Sequence, residues 1–389
     1  MNQKKDEQFD LVAKTFYGFE QLLADEIKLL GGTDVEPGRR MVKFKGGLAV
    51  LYKANIYLRT SLRILKNLHS FTITSQDDYY NGLRNIEWEN YLGLHHSFAI
   101  DSVVFSEIFK NSLFAAQRAK DAIVDRFRTK YAKRPLVDTE NPDVLINVHI
   151  SDNIVTISLD SSGASLHRRG YRTAEGAAPI NQVLAAALIK LSGWDYNTPL
   201  YDPMTGSGTI AIEAALMARN IPPGLIRKDF CFQNWPDYNK TLYRQLLEEV
   251  QLADTKPQIY ANDISADVLE IARQNASKAN ISSFIRFTNK PFGEIKPVSG
   301  PGTVIINPPY GERMKEKEIN ALYSDIGSTL KNKFGGFNAW IISSNANAMK
   351  EIGLKPFKKF KVLNGSLECT YSGFELFAGN YKEFKTSRL

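Results

Sequence analysis

The stretch Gly302-Thr303-Val304-Ile305-Ile306-Asn307-Pro308-Pro309-Tyr310 decides the reading of this chain. Its first five residues form an apolar, β-rich run that reads as a parallel strand buried in a sheet. Pro308 and Pro309 end that strand at once, because neither carries an N–H for a ladder. Asn307-Pro308-Pro309-Tyr310 therefore stands at the carboxyl end of a strand, where open α/β sheets place their ligands. The Asn307 side-chain oxygen and the Pro308 carbonyl suit the two hydrogens of one flat amino group. Tyr310 suits stacking on the ring that carries it. These are the needs of an enzyme that methylates an exocyclic amine on a base. The plainer alternative is a strand that ends in a turn.

About a hundred residues upstream, Leu200-Tyr201-Asp202-Pro203-Met204-Thr205-Gly206-Ser207-Gly208-Thr209 leads into a helix over 210–219. This is strand, glycine loop, helix. Gly206 and Gly208 let backbone N–H groups approach a ligand, and the helix N-terminus adds a positive dipole end. No Gly-Lys-Ser/Thr follows, so it is not a phosphate loop, and the third glycine of the dinucleotide fingerprint is missing. Asp202 would repel a pyrophosphate and suits an ammonium, as S-adenosylmethionine carries. The next strand, 258–261, ends in Asn262-Asp263-Ile264-Ser265. A carboxylate there is placed to hold a ribose diol. Asp263 is that candidate, with a helix N-cap as its alternative, although Ser265 competes better for the cap. Asn289 closes the third strand (284–288) and is a candidate for the adenine amino group. A fifth strand at 338–343 and a hairpin turned by Asn364-Gly365 complete the sheet.

The first 65 residues alternate strand and helix and predict a small α+β unit. A second unit follows, with a helix expected at 85–92, a strand at 97–105 and a basic helix at 114–131. That helix carries Arg118, Lys120, Arg126, Arg128 and Lys130, which read either as a solvated face or as a phosphate-contacting surface. Leu166-His167-Arg168-Arg169-Gly170-Tyr171-Arg172 is a dense positive cluster suited to phosphate or carboxylate. Residues 220–257 read as an insertion.

The chain has 389 residues, a net charge of +7 and 43% hydrophobic residues. The charge suits a polyanionic partner but is common on ordinary enzymes. Cys231 and Cys369 lack metal-ligand spacing and argue for a reducing compartment. The five histidines form no metal constellation, and His167 reads as structural or phosphate-contacting. No signal peptide or bilayer-spanning stretch is evident, so a cytoplasmic protein without a metal or a membrane partner is expected.

At this point a resemblance emerges. Leu166 to Tyr171, Asp202 to Thr209 and Asn307 to Arg313, in this order, resemble the class I Rossmann-like RNA methyltransferases that modify the 2-amino group of guanine. The resemblance spans roughly residues 165–381, and 45–160 resembles a THUMP RNA-binding domain preceded by a ferredoxin-like one. The family implies an α/β fold, with a mostly parallel seven-stranded sheet ending in an antiparallel hairpin. The expected domains are 1–66 ferredoxin-like, 67–162 THUMP and 163–389 methyltransferase. The match is to the N-terminal half of fused two-enzyme rRNA methyltransferases, whose second modification is not expected here. By the resemblance, Asn307, Pro308 and Tyr310 are catalytic. Asp202, Pro203, Thr205, Gly206, Gly208, Thr209, Asp263, Ile264, Asn289 and Asn307 hold S-adenosylmethionine. His167, Arg168, Arg169, Tyr171, Arg118, Lys120 and Arg313 meet RNA. The expected target is a guanosine of large-subunit rRNA, free or in an assembling ribosomal particle. The rivals are a tRNA guanosine methyltransferase, a DNA adenine methyltransferase and a non-catalytic RNA-binding assembly factor.

Overall fold

The computed structural model describes residues 7–172, 179–309 and 315–377. These fall into two units. Each is built on its own sheet.

The first unit holds residues 7–15, 23–166 and 227–249. Its strands are β1 (Phe9–Lys14), β2 (Thr33–Gly38), β3 (Met41–Gly46), β4 (Arg63–Thr72), β5 (Ser97–Phe105), β6 (Leu136–Val137), β7 (Val144–Ser151) and β8 (Ile154–Asp160). They form one sheet in the order β2-β3-β1-β4-β8-β7-β5-β6. The two N-terminal segments therefore share a continuous sheet, joined where β4 pairs antiparallel with β8. Helices α1 (Glu20–Leu29), α2 (Leu48–Tyr57), α3 (Gln76–Asn85) and α4 (Ser112–Tyr131) accompany it. In α4, Asn111 caps the start by accepting the Phe114 amide at 3.2 Å. Ala115, Ala119, Ala122, Ile123 and Phe127 make its buried stripe at helical spacing. The helix expected at 85–92 is not formed. The chain instead makes α3 before it and a short 3₁₀ turn at Trp88–Asn90.

The segment 227–249, expected as an insertion, packs into this first unit. Phe230, Phe232, Trp235 and Leu246 join its core, and Phe232 stacks on Tyr52 with ring centroids 4.5 Å apart.

The second unit holds residues 16–22, 167–172, 179–226, 250–309 and 315–377. Its strands are β9 (Leu200–Asp202), β10 (Ile259–Asp263), β11 (Ile285–Asn289), β12 (Gly302–Ile306), β13 (Phe337–Ser343), β14 (Lys358–Asn364) and β15 (Leu367–Glu375). The remaining helices along the chain are α5 (Gln182–Ser192), α6 (Thr209–Ala218), α7 (Lys240–Glu248, in the first unit), α8 (Ala266–Lys278), α9 (Glu316–Lys333) and α10 (Ala348–Glu351). The sheet order is β11-β10-β9-β12-β13-β15-β14. Strands β9 to β13 run parallel, and β15 is antiparallel to both neighbours. This is the sheet expected from the sequence. Strand β12 is buried along its whole length, as its unbroken apolar run requires. The strand order reverses between β9 and β12, so the loops after these two neighbours flank a topological switch point.

Candidate active site

The glycine loop leaves β9 at Asp202. Gly206 (φ 56°) and Gly208 (φ 84°) both adopt left-handed backbone, which glycine tolerates best. A Cβ on Gly208 would also lie 3.0 Å from the Cβ of Ala272 on α8. The loop thus folds tightly and delivers the N-terminus of α6 beside the strand ends.

Asp202 is fully buried (0% exposed). Its Oδ2 accepts the Thr205 hydroxyl at 2.7 Å, while among the described residues the buried Oδ1 has no partner of good hydrogen-bond geometry. Burial pushes its carboxyl up to about 7; the Thr205 hydrogen bond and, more weakly, the Ala211 backbone amide oppose the rise, and the nearby Asp263 charge adds to it. A buried acceptor lacking a partner is costly unless something meets it. A cationic amine would meet that oxygen and favour the ionised acid.

Asp263 ends β10. Its Oδ2 accepts the Gly206 amide at 2.9 Å and its Oδ1 accepts the Ser265 amide at 3.0 Å. Ser265, not Asp263, caps α8. Ile264 follows, 73% exposed. Asn289 ends β11 and donates to the carbonyls of Asp263 and Ile264 at 2.8 and 3.0 Å. Asp263, Ile264 and Asn289 are therefore gathered at one edge. The acid sits against the glycine loop, and the exposed apolar side chain suits the flat face of an adenine.

Sequence reasoning missed Asn262, which organises this edge. Its Nδ2 donates to the carbonyls of Pro203 (3.0 Å) and Lys290 (2.9 Å). Its Oδ1 accepts the Thr288 hydroxyl (3.0 Å) and the Lys290 amide (3.2 Å). One buried amide fastens the loops after β9 and β11 to the end of β10. Nothing in the sequence distinguishes this asparagine from any other preceding a candidate acid.

Asn307 and Pro308 follow β12. Among the described residues, the buried Asn307 Oδ1 has no hydrogen-bond partner. It remains an acceptor for one further donor. Tyr310 and Arg313 lie outside the described residues.

Three placements correct the sequence reading. Arg169 and Tyr171, expected at an RNA surface, are 1% and 0% exposed. Both turn to Glu213 on α6, itself buried: the Tyr171 hydroxyl donates to its Oε1 at 3.1 Å and the Arg169 Nε lies 3.6 Å from it. A carboxylate taken out of water needs such partners. Thr209, expected at the cofactor, is buried with its hydroxyl accepting from Arg172 at 3.0 Å. Thr205 acts through Asp202. Arg168 is exposed and His167 half-buried. Arg118 pairs with Asp77 (3.1 Å) and Lys120 with Asp121 (2.8 Å). Arg126 and Lys130 share Glu89, whose carboxyl is drawn down to about 2, chiefly by the Arg126 hydrogen bond. The basic face of α4 is thus largely matched by carboxylates. Among the described residues no group of three or more His, Cys, Asp or Glu could hold a metal. Nor is any described helix long and apolar enough to cross a membrane.

A sheet of this order, with a glycine loop after its central strand and an acid at the end of the next, defines the class I methyltransferase fold. The chain belongs to the RMKL-like methyltransferase domain family, whose profile matches residues 169–373. The THUMP domain profile matches residues 74–160, and that of the RlmL ferredoxin-like domain matches 10–65. A Synechocystis sp. protein named as a candidate RNA methyltransferase is 37% identical over 364 residues, covering 92% of this chain and 95% of the relative. The structure is similar to that of SMU.472, a candidate methyltransferase solved with S-adenosylhomocysteine. The TM-score is 0.86 at 29% identity, over 96% of this chain and 100% of the other. It is also similar to a Listeria monocytogenes protein described as a predicted N6-adenine-specific DNA methylase. There the TM-score is 0.85 at 32% identity, over 95% of this chain and 97% of the other.

Proposed function

We propose that this chain is an S-adenosylmethionine-dependent RNA methyltransferase of the THUMP type that modifies the 2-amino group of a guanosine in large-subunit rRNA. Methyl transfer to RNA is supported by the family, by the THUMP domain and by the Synechocystis relative. The cofactor is supported by the S-adenosylhomocysteine bound to the similar SMU.472 structure and by the buried acceptor of Asp202. The observation that carries the amine assignment is the buried, partnerless Oδ1 of Asn307 at the end of β12.

When bound, S-adenosylmethionine supplies an electrophilic sulfonium methyl. Asp202 Oδ1 would accept from its ammonium, and Asp263 would hold its ribose diol. Asn307 Oδ1 and the Pro308 carbonyl accept the two hydrogens of the target amine. That aims the nitrogen lone pair, otherwise delocalised into the ring, out of the base plane toward the methyl. The same two oxygens stabilise the positive charge that develops on nitrogen. Alignment of this kind is worth about 7–11 kcal/mol of barrier. The methylated amine is far more acidic than its precursor and releases its proton without a strong base. The base must leave any helix it occupies to reach Asn307.

The test is transfer of labelled methyl to unmodified large-subunit rRNA, tRNA and DNA, followed by nucleoside analysis. The expected product is 2-methylguanosine in rRNA. Label in tRNA alone keeps the chemistry and changes the substrate. A second reading, methylation of adenine N6 in DNA, is favoured by the Asn-Pro-Pro-Tyr tetrad, which serves either amine. N6-methyladenine as the product would overturn the guanosine assignment.

A further inference from the structure

The rim of the second unit's sheet is basic. Residues 349–364 hold five lysines and one glutamate. Lys355 precedes β14, and Lys358, Lys359 and Lys361 lie on it, at the outer edge of the sheet. All four are exposed. Among the described residues none of the four makes an ion pair. The acids of the hairpin are Glu368, diagonal to Lys361 in the strand register, and Glu375, opposite Asn338 on β13. Lys359 and Lys361 share one face of β14, so two like charges stand side by side and repel.

Two aromatic side chains border these lysines. Phe357 is 54% exposed and meets the buried Trp340 edge to face, ring centroids 5.3 Å apart. Tyr17, 50% exposed, precedes Gly18, which comes so close to β14 that a Cβ on it would stand 3.1 Å from the Lys361 carbonyl oxygen. Edge lysines deter pairing with another strand, but here the chain at Gly18 already lies against the rim. Strands β12 and β13 are parallel, and β15 is antiparallel to both β13 and β14. Strand β14 therefore runs with β12, and its lysines lead toward the end of the sheet at which Asn307 stands. The order β12-β13-β15-β14 puts the rim about 14 Å from β12 at the usual strand spacing. A polynucleotide with one base at Asn307 continues past it as a chain of phosphates. Lysines answer those phosphates, and exposed rings answer the faces of flanking bases. An acidic polypeptide would match the charge but has no base to place at the end of β12.

We infer that the β14 rim, with Lys355, Lys358, Lys359 and Lys361, is a phosphate-contacting strip that holds RNA flanking the target nucleotide. The inference rests on the reading of the chain as an RNA methyltransferase and adds a grip on the substrate within the catalytic unit itself.

The experiment is filter binding of the full chain to unmodified large-subunit rRNA and tRNA made by transcription, across about 50–200 mM salt. The triple variant Lys358→Gln, Lys359→Gln, Lys361→Gln should raise Kd by roughly 10- to 100-fold at the low-salt end. It should also flatten the slope of log affinity against log salt by about 2, three contacts at about 0.7 each. Arginine at the same three positions should keep wild-type binding. S-adenosylhomocysteine affinity should stay at its wild-type value. The double variant Lys359→Gln, Lys361→Gln leaves Lys358 over the Phe360 ring, 4.9 Å from its centroid, and reads the same effect should the triple variant fail to fold. Wild-type affinity and salt slope in the glutamine variants would overturn the strip alone. Wild-type protein that binds neither RNA would overturn the strip and the RNA reading together. Competition by polyglutamate as effective as that by RNA would overturn RNA as the occupant in favour of an acidic protein segment.

Discussion

The Asp263 carboxylate accepts the amide hydrogen of Gly206 at 2.9 Å, so the acid at the end of β10 holds the turn that follows β9. The preceding residue fastens the same turn from beneath, through the Pro203 carbonyl. Acid and amide together set the glycine loop before any ligand arrives, which spares the ordering cost at binding.

Asn262→Ala removes four hydrogen bonds and leaves buried backbone groups without partners. It should lower stability by about 3 kcal/mol. Any protein that folds should show a raised KM for the cofactor, with the RNA KM little changed. Denaturant unfolding and steady-state kinetics measure both. Equal rises in the two KM values would argue against a local role.

Asp202 gives a pH signature. Its native carboxyl ionises near 7, against an ordinary value of 3.8, because burial penalises the charge. Between those values the native state keeps a proton that the unfolded chain has lost, so this group makes stability fall as pH rises toward 7. Asp202→Asn should therefore melt above wild type at pH 8 and close to it near pH 4, while losing cofactor binding. For wild type, calorimetric affinity for S-adenosylmethionine should increase as pH rises through about 7, with a proton released on binding. A flat pH profile would remove Asp202 from the ammonium site.

Asn307→Ala should leave cofactor affinity intact and cut turnover by about 10²–10³-fold, as losing one aimed polar group does. Single-turnover methyl transfer with saturating cofactor is the direct reading. Unchanged turnover would end the proposed mechanism.

Arg169 and Arg168 are adjacent and should behave oppositely. Arg169→Ala removes the guanidinium nearest the buried Glu213 and should cost about 3–5 kcal/mol. Arg168→Ala, on an exposed residue, should cost far less, about 1 kcal/mol or below. Thermal denaturation of the pair tests the assignment of the first as structural.

The methyltransferase sheet was legible because its signals are local: unbroken apolar strands, two glycines at a turn, prolines at a strand end. Asp202, Asp263 and Asn307 could be placed for the same reason. What could not be read is long-range. Arg169 and Tyr171 read as a surface cluster because the acid they enclose, Glu213, comes 42 residues after Tyr171 within an apolar helix. Helix α3 was missed because its sequence is polar, with only Tyr79 and Leu83 buried. Asn262 is informative only once three strand ends are brought together.

The excursion of residues 227–249 has a consequence for anyone dividing this gene. Phe232 and Trp235 fill space around Tyr52 and Lys66, and the Tyr52 hydroxyl accepts the Asn239 amide at 2.9 Å. An N-terminal fragment cut at the end of the THUMP match would lack this plug and present Tyr52 to water. A methyltransferase fragment would carry the same aromatic residues with nowhere to bury them. Expressed apart, both halves should be prone to aggregation.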